Sequence, residues 1–252
     1  MAGFQSYIIC TSPRSGSTLL CKLLEATGIA GVPDSHFYLP SMEAWLLDHD
    51  LQIDGYTSER DKLSAVFDAA RSYGTGKTGI FGLRVQRHSF DYFMQKLDHL
   101  HPDLETDFDR LSAAFGATFF IHLTRENKLH QAISLLKAEQ TGLWHRAADG
   151  SELERSAPPQ DPVYDAEAIA GHIADMTQDD ADWNAWFQRE NLTPLRLTYD
   201  GLSRDPKGVL SVVLQRLGLN HSVVANVAMP TAKLTDATSR AWAERFLAET
   251  AA

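Results

Sequence analysis

The chain has 252 residues with 33 acidic and 23 basic side chains, a formal charge of −10, which argues against nucleic acid or an anionic membrane as its main partner. Any anion it binds must be held by a local cluster. MAGFQS at the start lacks the basic stretch and apolar core of a secretion signal, and no run approaches the roughly 18 apolar residues of a membrane span, so a cytoplasmic protein is expected.

Residues 1–252 are read as one domain, long enough to bury a full core. The apolar run at 7–10 (YIIC) predicts a first strand, and a helical pattern follows at about 17–27. A second helix is expected at 61–72, then a strand at 79–85 (GIFGLRV), a helix at 89–98 and a strand at 117–123 (ATFFIHL). Helices at 129–140 and 165–188, a strand at 194–199 (PLRLTY) and helices at 206–217 and 239–249 complete the order. Near-continuously apolar strands alternating with helices imply a mainly parallel sheet covered on both faces, the three-layer α/β sandwich of P-loop type. The polar, Pro-rich stretch at 148–165 reads as a surface loop or lid. Cys10 and Cys21 fall in the first strand and helix as small buried hydrophobes, and no metal site is expected.

Between the first strand and its helix lies Ser12-Pro13-Arg14-Ser15-Gly16-Ser17-Thr18. A turn from strand to helix start gathers free backbone N–H groups and the positive helix end at one point, which makes an anion site. Gly16 permits close approach, Ser15, Ser17 and Thr18 carry hydroxyl donors, and Arg14 offers a planar fork for two phosphate oxygens. A serine-capped helix beside a surface arginine is the plainer alternative. Residues 74–78 (GTGKT) look more like an ATP loop, but Arg71 stands where the Walker pattern needs glycine, and the segment precedes a strand instead of following one. It is expected to be a turn. The third strand ends in Leu123-Thr124-Arg125, which suits an anion better than magnesium, and Asp200 is the only candidate for a Walker-type acid.

The two segments YIICTSPRSGSTLL and HLTRENKLHQAISLLKA, with GIFGLRV, WNAWFQRENLTPLRLTYDGL and the tail around 239–245, resemble the sulfotransferases that use 3′-phosphoadenosine-5′-phosphosulfate (PAPS), and among them the bacterial trehalose 2-sulfotransferase-like family. The resemblance implies that Arg14, Ser15, Gly16, Ser17 and Thr18 wrap the 5′-phosphosulfate, that Arg125 and Ser134 hold the 3′-phosphate, and that Lys233 adds a further phosphate contact. It implies sulfuryl transfer to a hydroxyl without a metal, with Arg14 stabilising charge on the leaving phosphate, and a homodimer. Where that family carries a glutamate after a Gly-x-Pro turn, this chain has Ser35 in Gly31-Val32-Pro33-Asp34-Ser35-His36. His36 is the expected substitute base, with Asp34 as an alternative or orienting group, His88 as a rival and Arg84 at the sheet's carboxyl edge, in reach of the transferred group or the acceptor. Phe37, Tyr38 and Trp45 would floor a sugar site or join the core. The expected acceptor is a carbohydrate or other small polar molecule, not trehalose in particular, because the base position and the segment at 38–78 differ. A small-molecule kinase and a non-catalytic nucleotide-binding relative are the other two readings.

Overall fold

The computed structural model describes residues 3–146, 149–228 and 236–251. Strand β1 (Ser6–Thr11) is buried along its whole length, as a strand must be when helices cover both faces of its sheet. It pairs in parallel with β2 (Phe81–Gln86) on one side and β3 (Thr118–Thr124) on the other, and β6 (Leu195–Thr198) pairs in parallel beyond β3. The order is β2-β1-β3-β6. From β1 the chain runs out to β2, and from β3 it runs out to β6 on the other side. The connections therefore diverge between the carboxyl ends of β1 and β3, the switch point where open α/β sheets form a ligand crevice.

The period-two alternation of β1 builds the layers. Ile8 and Cys10 face an aromatic core with Phe67 of α3 (Glu59–Thr75), Phe93 of α4 (Arg87–Leu100), Phe115 of α5 (Asp107–Phe115) and Trp186 of α7 (Ala166–Arg189). Tyr7 and Ile9 face a leucine-rich core with α1 (Ser17–Ala26) and α9 (Pro206–Arg216). This is the expected α/β architecture with a parallel central sheet. A third cluster joins α6 (Lys128–Thr141) and α7 to α10 (Ala237–Thr250), so the last helix packs beside the carboxyl edge. Cys10 and Cys21 are buried and free. Among the described residues no helix is long and apolar enough to cross a membrane.

Several elements depart from the sequence expectation. Short helices α2 (Met42–Asp48) and α8 (Tyr199–Arg204) and the nine-residue α5 lack a long apolar stripe; each starts at a side-chain cap, on Ser41, Thr198 and Thr106. The stretch expected as a loop or lid contains β5 (Glu152–Arg155), which pairs antiparallel with β4 (Leu143–Arg146). The charged run Glu152-Leu153-Glu154-Arg155 has no strand-like apolar signal; the cross-strand hydrogen bond of His145 with Glu154 and the local ion pair of Arg155 with Glu152 stand in for it. The segment at 74–78 ends α3 and turns into β2, with Gly76 at φ 55°.

Candidate active site

The loop after β1 is fixed from three sides. The Thr11 hydroxyl donates to the Leu123 carbonyl at 2.8 Å, and the Trp183 indole N–H donates to the Thr11 carbonyl at 2.9 Å. Gln131, fully buried on α6, donates its amide to Ser12 Oγ at 3.0 Å and to the Pro13 carbonyl at 2.6 Å. Helix α1 then starts at Gly16, whose φ of 85° is in the left-handed region, and no side chain caps its first N–H groups. Those donors are left for a ligand. A Cβ on Gly16 would meet Cδ2 of Tyr199 at 2.6 Å, so only glycine fits under that ring.

Two guanidiniums converge here. Arg125, at the end of β3, is only 9% exposed, lies over the Tyr199 ring at 4.3 Å and donates to the Arg14 carbonyl at 3.2 Å. Arg14, itself at φ 60°, donates from Nε to Ser134 Oγ at 3.0 Å and from Nη1 to the Trp144 carbonyl at 2.8 Å. Burial, and then the neighbouring charge of Arg125, lower the Arg14 pKa to about 10. Among the described residues neither forms an ion pair with a carboxylate. Two partly desolvated like charges held together, with Glu154 acting on Arg14 and Asp200 on Arg125 only from beyond ion-pair distance, are stabilised by an anion that enters between them. Arg14, Arg125 and Ser134 thus form one cluster instead of two separate grips.

Arg84, on β2, ties the first helix to the Gly-x-Pro turn: Nη1 donates to Thr18 Oγ1 at 2.8 Å, Nε to Ser35 Oγ at 2.8 Å and Nη2 to Asp34 Oδ1 at 3.1 Å. Asp34 forms a parallel bridge with Leu83, so the turn extends the sheet edge beside β2.

The cavity above these residues holds about 950 Å³ and is lined by Arg14, Gly16, Ser17, Thr18, Arg84, Arg125 and Ser134. Other expected site residues lie elsewhere. Ser15 does not present its hydroxyl to the cavity; it is fully buried, with Oγ 2.5 Å from Thr11 Oγ1. The His36 ring is set outside the cavity lining, stacked on Phe81 at 6.0 Å and beside His49 at 5.8 Å, with Nε2 buried and unpartnered. Burial lowers its pKa to about 4, because the apolar start of β2 penalises the imidazolium. The His36 ring, the expected base, thus lies against the core and not among the residues that line the cavity. His88 stacks edge-on with Tyr38 at 5.3 Å, outside the lining, and Phe37 and Trp45 are core residues; Tyr38 alone of the three aromatics reaches the cavity. Lys233 lies outside the described residues.

The sequence expectation missed Gln131, Tyr199 and the hairpin residues His145 and Glu154, of which the last three line the cavity. Tyr199 had a signal in its place at the end of an expected strand; the hairpin had none. Among the described residues no group of three or more His, Cys, Asp or Glu side chains is placed to hold a metal ion.

The fold is that of an α/β protein with a parallel central sheet, with an uncapped helix start and two converging arginines at its carboxyl edge. Residues 6–249 match the Stf0 sulphotransferase family, and the chain belongs to it. It is 28% identical over 260 aligned positions to trehalose 2-sulfotransferase of Mycolicibacterium smegmatis, with 96% of this chain and 94% of that one covered. To trehalose 2-sulfotransferase of Mycobacterium tuberculosis it is 29% identical over 263 positions, with the same coverage of 96% and 94%. Among solved structures, the sulfotransferase domain of the Synechococcus PCC 7002 olefin synthase aligns at a TM-score of 0.42 and 16% identity, covering 98% of this chain and 89% of that one. A sulfotransferase from Alicyclobacillus acidocaldarius aligns at 0.43 and 14%, covering 99% and 93%.

Proposed function

We propose that the protein transfers a sulfuryl group from PAPS to a hydroxyl of a carbohydrate or other small polar acceptor. The observation that carries this reading is the pair of partly buried guanidiniums, Arg14 and Arg125, that form no ion pair with a carboxylate among the described residues and that share one cavity with the uncapped start of α1. In this reading the N–H groups of Gly16, Ser17 and Thr18 bind the 5′-phosphosulfate, while Arg125 and Ser134 bind the 3′-phosphate. Arg14 donates to Ser134, so it is poised to bridge the two ends of the donor.

Sulfuryl transfer, like phosphoryl transfer, asks the protein mainly for positioning and charge stabilisation. Arg14 and the loop amides would offset the charge that collects on the departing phosphate; each such donor contributes on the order of 10²- to 10³-fold in rate. Arg84, fixed by Thr18, Ser35 and Asp34, faces the same cavity from the sheet edge and would steady the transferred group. Incubation with ³⁵S-labelled PAPS and a panel of sugars that begins with trehalose should yield a labelled sulfate ester and 3′,5′-adenosine bisphosphate. Phosphorylation of the same panel from ATP–Mg, with no label transferred from PAPS, would overturn the assignment in favour of a kinase.

A further inference from the structure

We infer that His145, held by Glu154 on the β4–β5 hairpin, is the base that takes the proton from the acceptor hydroxyl; the inference rests on the PAPS reading above. The turn that follows α1 is committed elsewhere, because Ser35 Oγ accepts from Arg84 at 2.8 Å and Asp34 from the same guanidinium at 3.1 Å, while His36 packs away from the cavity. The hairpin forms the facing wall. Its Trp144 carbonyl accepts from Arg14 Nη1 at 2.8 Å, which sets the next residue, His145, beside the loop that would hold the phosphosulfate.

His145 and Glu154 both line that cavity, and His145 Nδ1 is 2.6 Å from Glu154 Oε2. Donation from Nδ1–H to the carboxylate leaves the lone pair on Nε2, the arrangement in which a histidine serves as a base and its imidazolium is stabilised. The other charged groups around the pair are Arg14 from the loop, Arg84 from β2 and Asp34 from the turn, whose charges act on the Glu154 carboxylate or are acted on by it. In the step, the acceptor oxygen forms a bond to sulfur as its proton passes to His145 Nε2. The bond from sulfur to the 5′-phosphate oxygen breaks, its electron pair leaves with 3′,5′-adenosine bisphosphate, and the proton is later lost to solvent.

Three measurements on the full chain test this. Long-range ¹H–¹⁵N NMR should show His145 as the Nδ1–H tautomer at neutral pH, and Glu154→Gln should erase that preference. In the labelled-PAPS assay His145→Gln should lose about 10²- to 10⁴-fold in kcat, with the Kd for 3′,5′-adenosine bisphosphate within twofold of wild type. Glu154→Gln should lower kcat while leaving the KM for PAPS within twofold of wild type, as expected of a residue that only positions the base. An Nε2–H tautomer in the wild type, or His145→Gln turnover within threefold of wild type, would overturn the inference while leaving the donor site intact. Failure of the wild type to bind the bisphosphate would overturn the donor reading itself, and this inference with it.

Discussion

Replacing Arg125 by alanine should abolish the preference for a nucleotide carrying a 3′-phosphate. The guanidinium is 9% exposed and clamped between the Tyr199 ring at 4.3 Å and the Arg14 carbonyl at 3.2 Å, so it offers its remaining N–H groups in a fixed direction. Hydrogen bonds to a charged partner contribute about 1.5–3 kcal/mol each. Two to one phosphate would give up to about 6, but Arg14 and Ser134 remain to grip that phosphate and recover part of it. A net loss of about 3 kcal/mol, roughly 10²-fold in Kd, follows for 3′,5′-adenosine bisphosphate. AMP, which lacks the 3′-phosphate, should lose less than about threefold; any loosening of the loop caused by freeing the Arg14 carbonyl would weaken both ligands alike and cancels in the ratio. Isothermal titration of both nucleotides against wild type and Arg125→Ala measures that ratio. Equal weakening of AMP and the bisphosphate would refute the assignment of Arg125 to the 3′-phosphate, as would no weakening of either.

Gly16→Ala forces a Cβ at φ 85° into the Tyr199 ring; at about 1–2 kcal/mol for the left-handed backbone alone, plus displacement of Tyr199 from Arg125, it should lower the urea midpoint and weaken bisphosphate binding together. Gln131→Ala leaves the Ser12 hydroxyl and the Pro13 carbonyl without the buried donor they share and should cost about 1–3 kcal/mol in urea unfolding; a neutral result would show that the loop holds its shape without α6. His36 and His122 have pKa values lowered by burial to about 4, against about 6.5 in an unfolded chain. Between those limits the unfolded chain binds more protons, so stability should fall as pH drops from about 6.5 toward 4 and be insensitive to these groups above it. His36→Phe should flatten that slope in unfolding measured at pH 5 and pH 7.5; an unchanged slope would mean the ring is solvated.

What the residues revealed of this molecule follows how local each signal is. The strands β1 and β3 and the loop between β1 and α1 were legible because an apolar run broken by Ser-Pro-Arg-Ser-Gly-Ser is a pattern within a dozen residues, and strand-to-helix turns gather free N–H groups wherever they occur. Arg125 was legible from its place at a strand end. The convergence of Arg14 on Ser134 was not, since it depends on the Trp144 carbonyl and the approach of α6 across 120 residues of chain. Ser15 was misjudged because facing in or out of a tight turn is set by the Thr11 hydroxyl beneath it. His36 was chosen by proximity to an expected position, whereas the bridge of Asp34 to Leu83 sets the direction of the following side chains and sends its ring toward Phe81. The hairpin that supplies His145 and Glu154 was invisible because its strands are four residues each, held by a histidine–carboxylate hydrogen bond and a local ion pair instead of an apolar face.

The most direct test of the PAPS assignment is a calorimetric competition on the wild-type protein among 3′,5′-adenosine bisphosphate, AMP and ATP–Mg, run with and without EDTA. The arginine pair and the uncapped helix start predict that the bisphosphate binds tightest, by about 10²-fold over AMP, with an affinity that EDTA does not change. Tighter binding of ATP–Mg than of the bisphosphate, lost when the metal is chelated, would contradict the account.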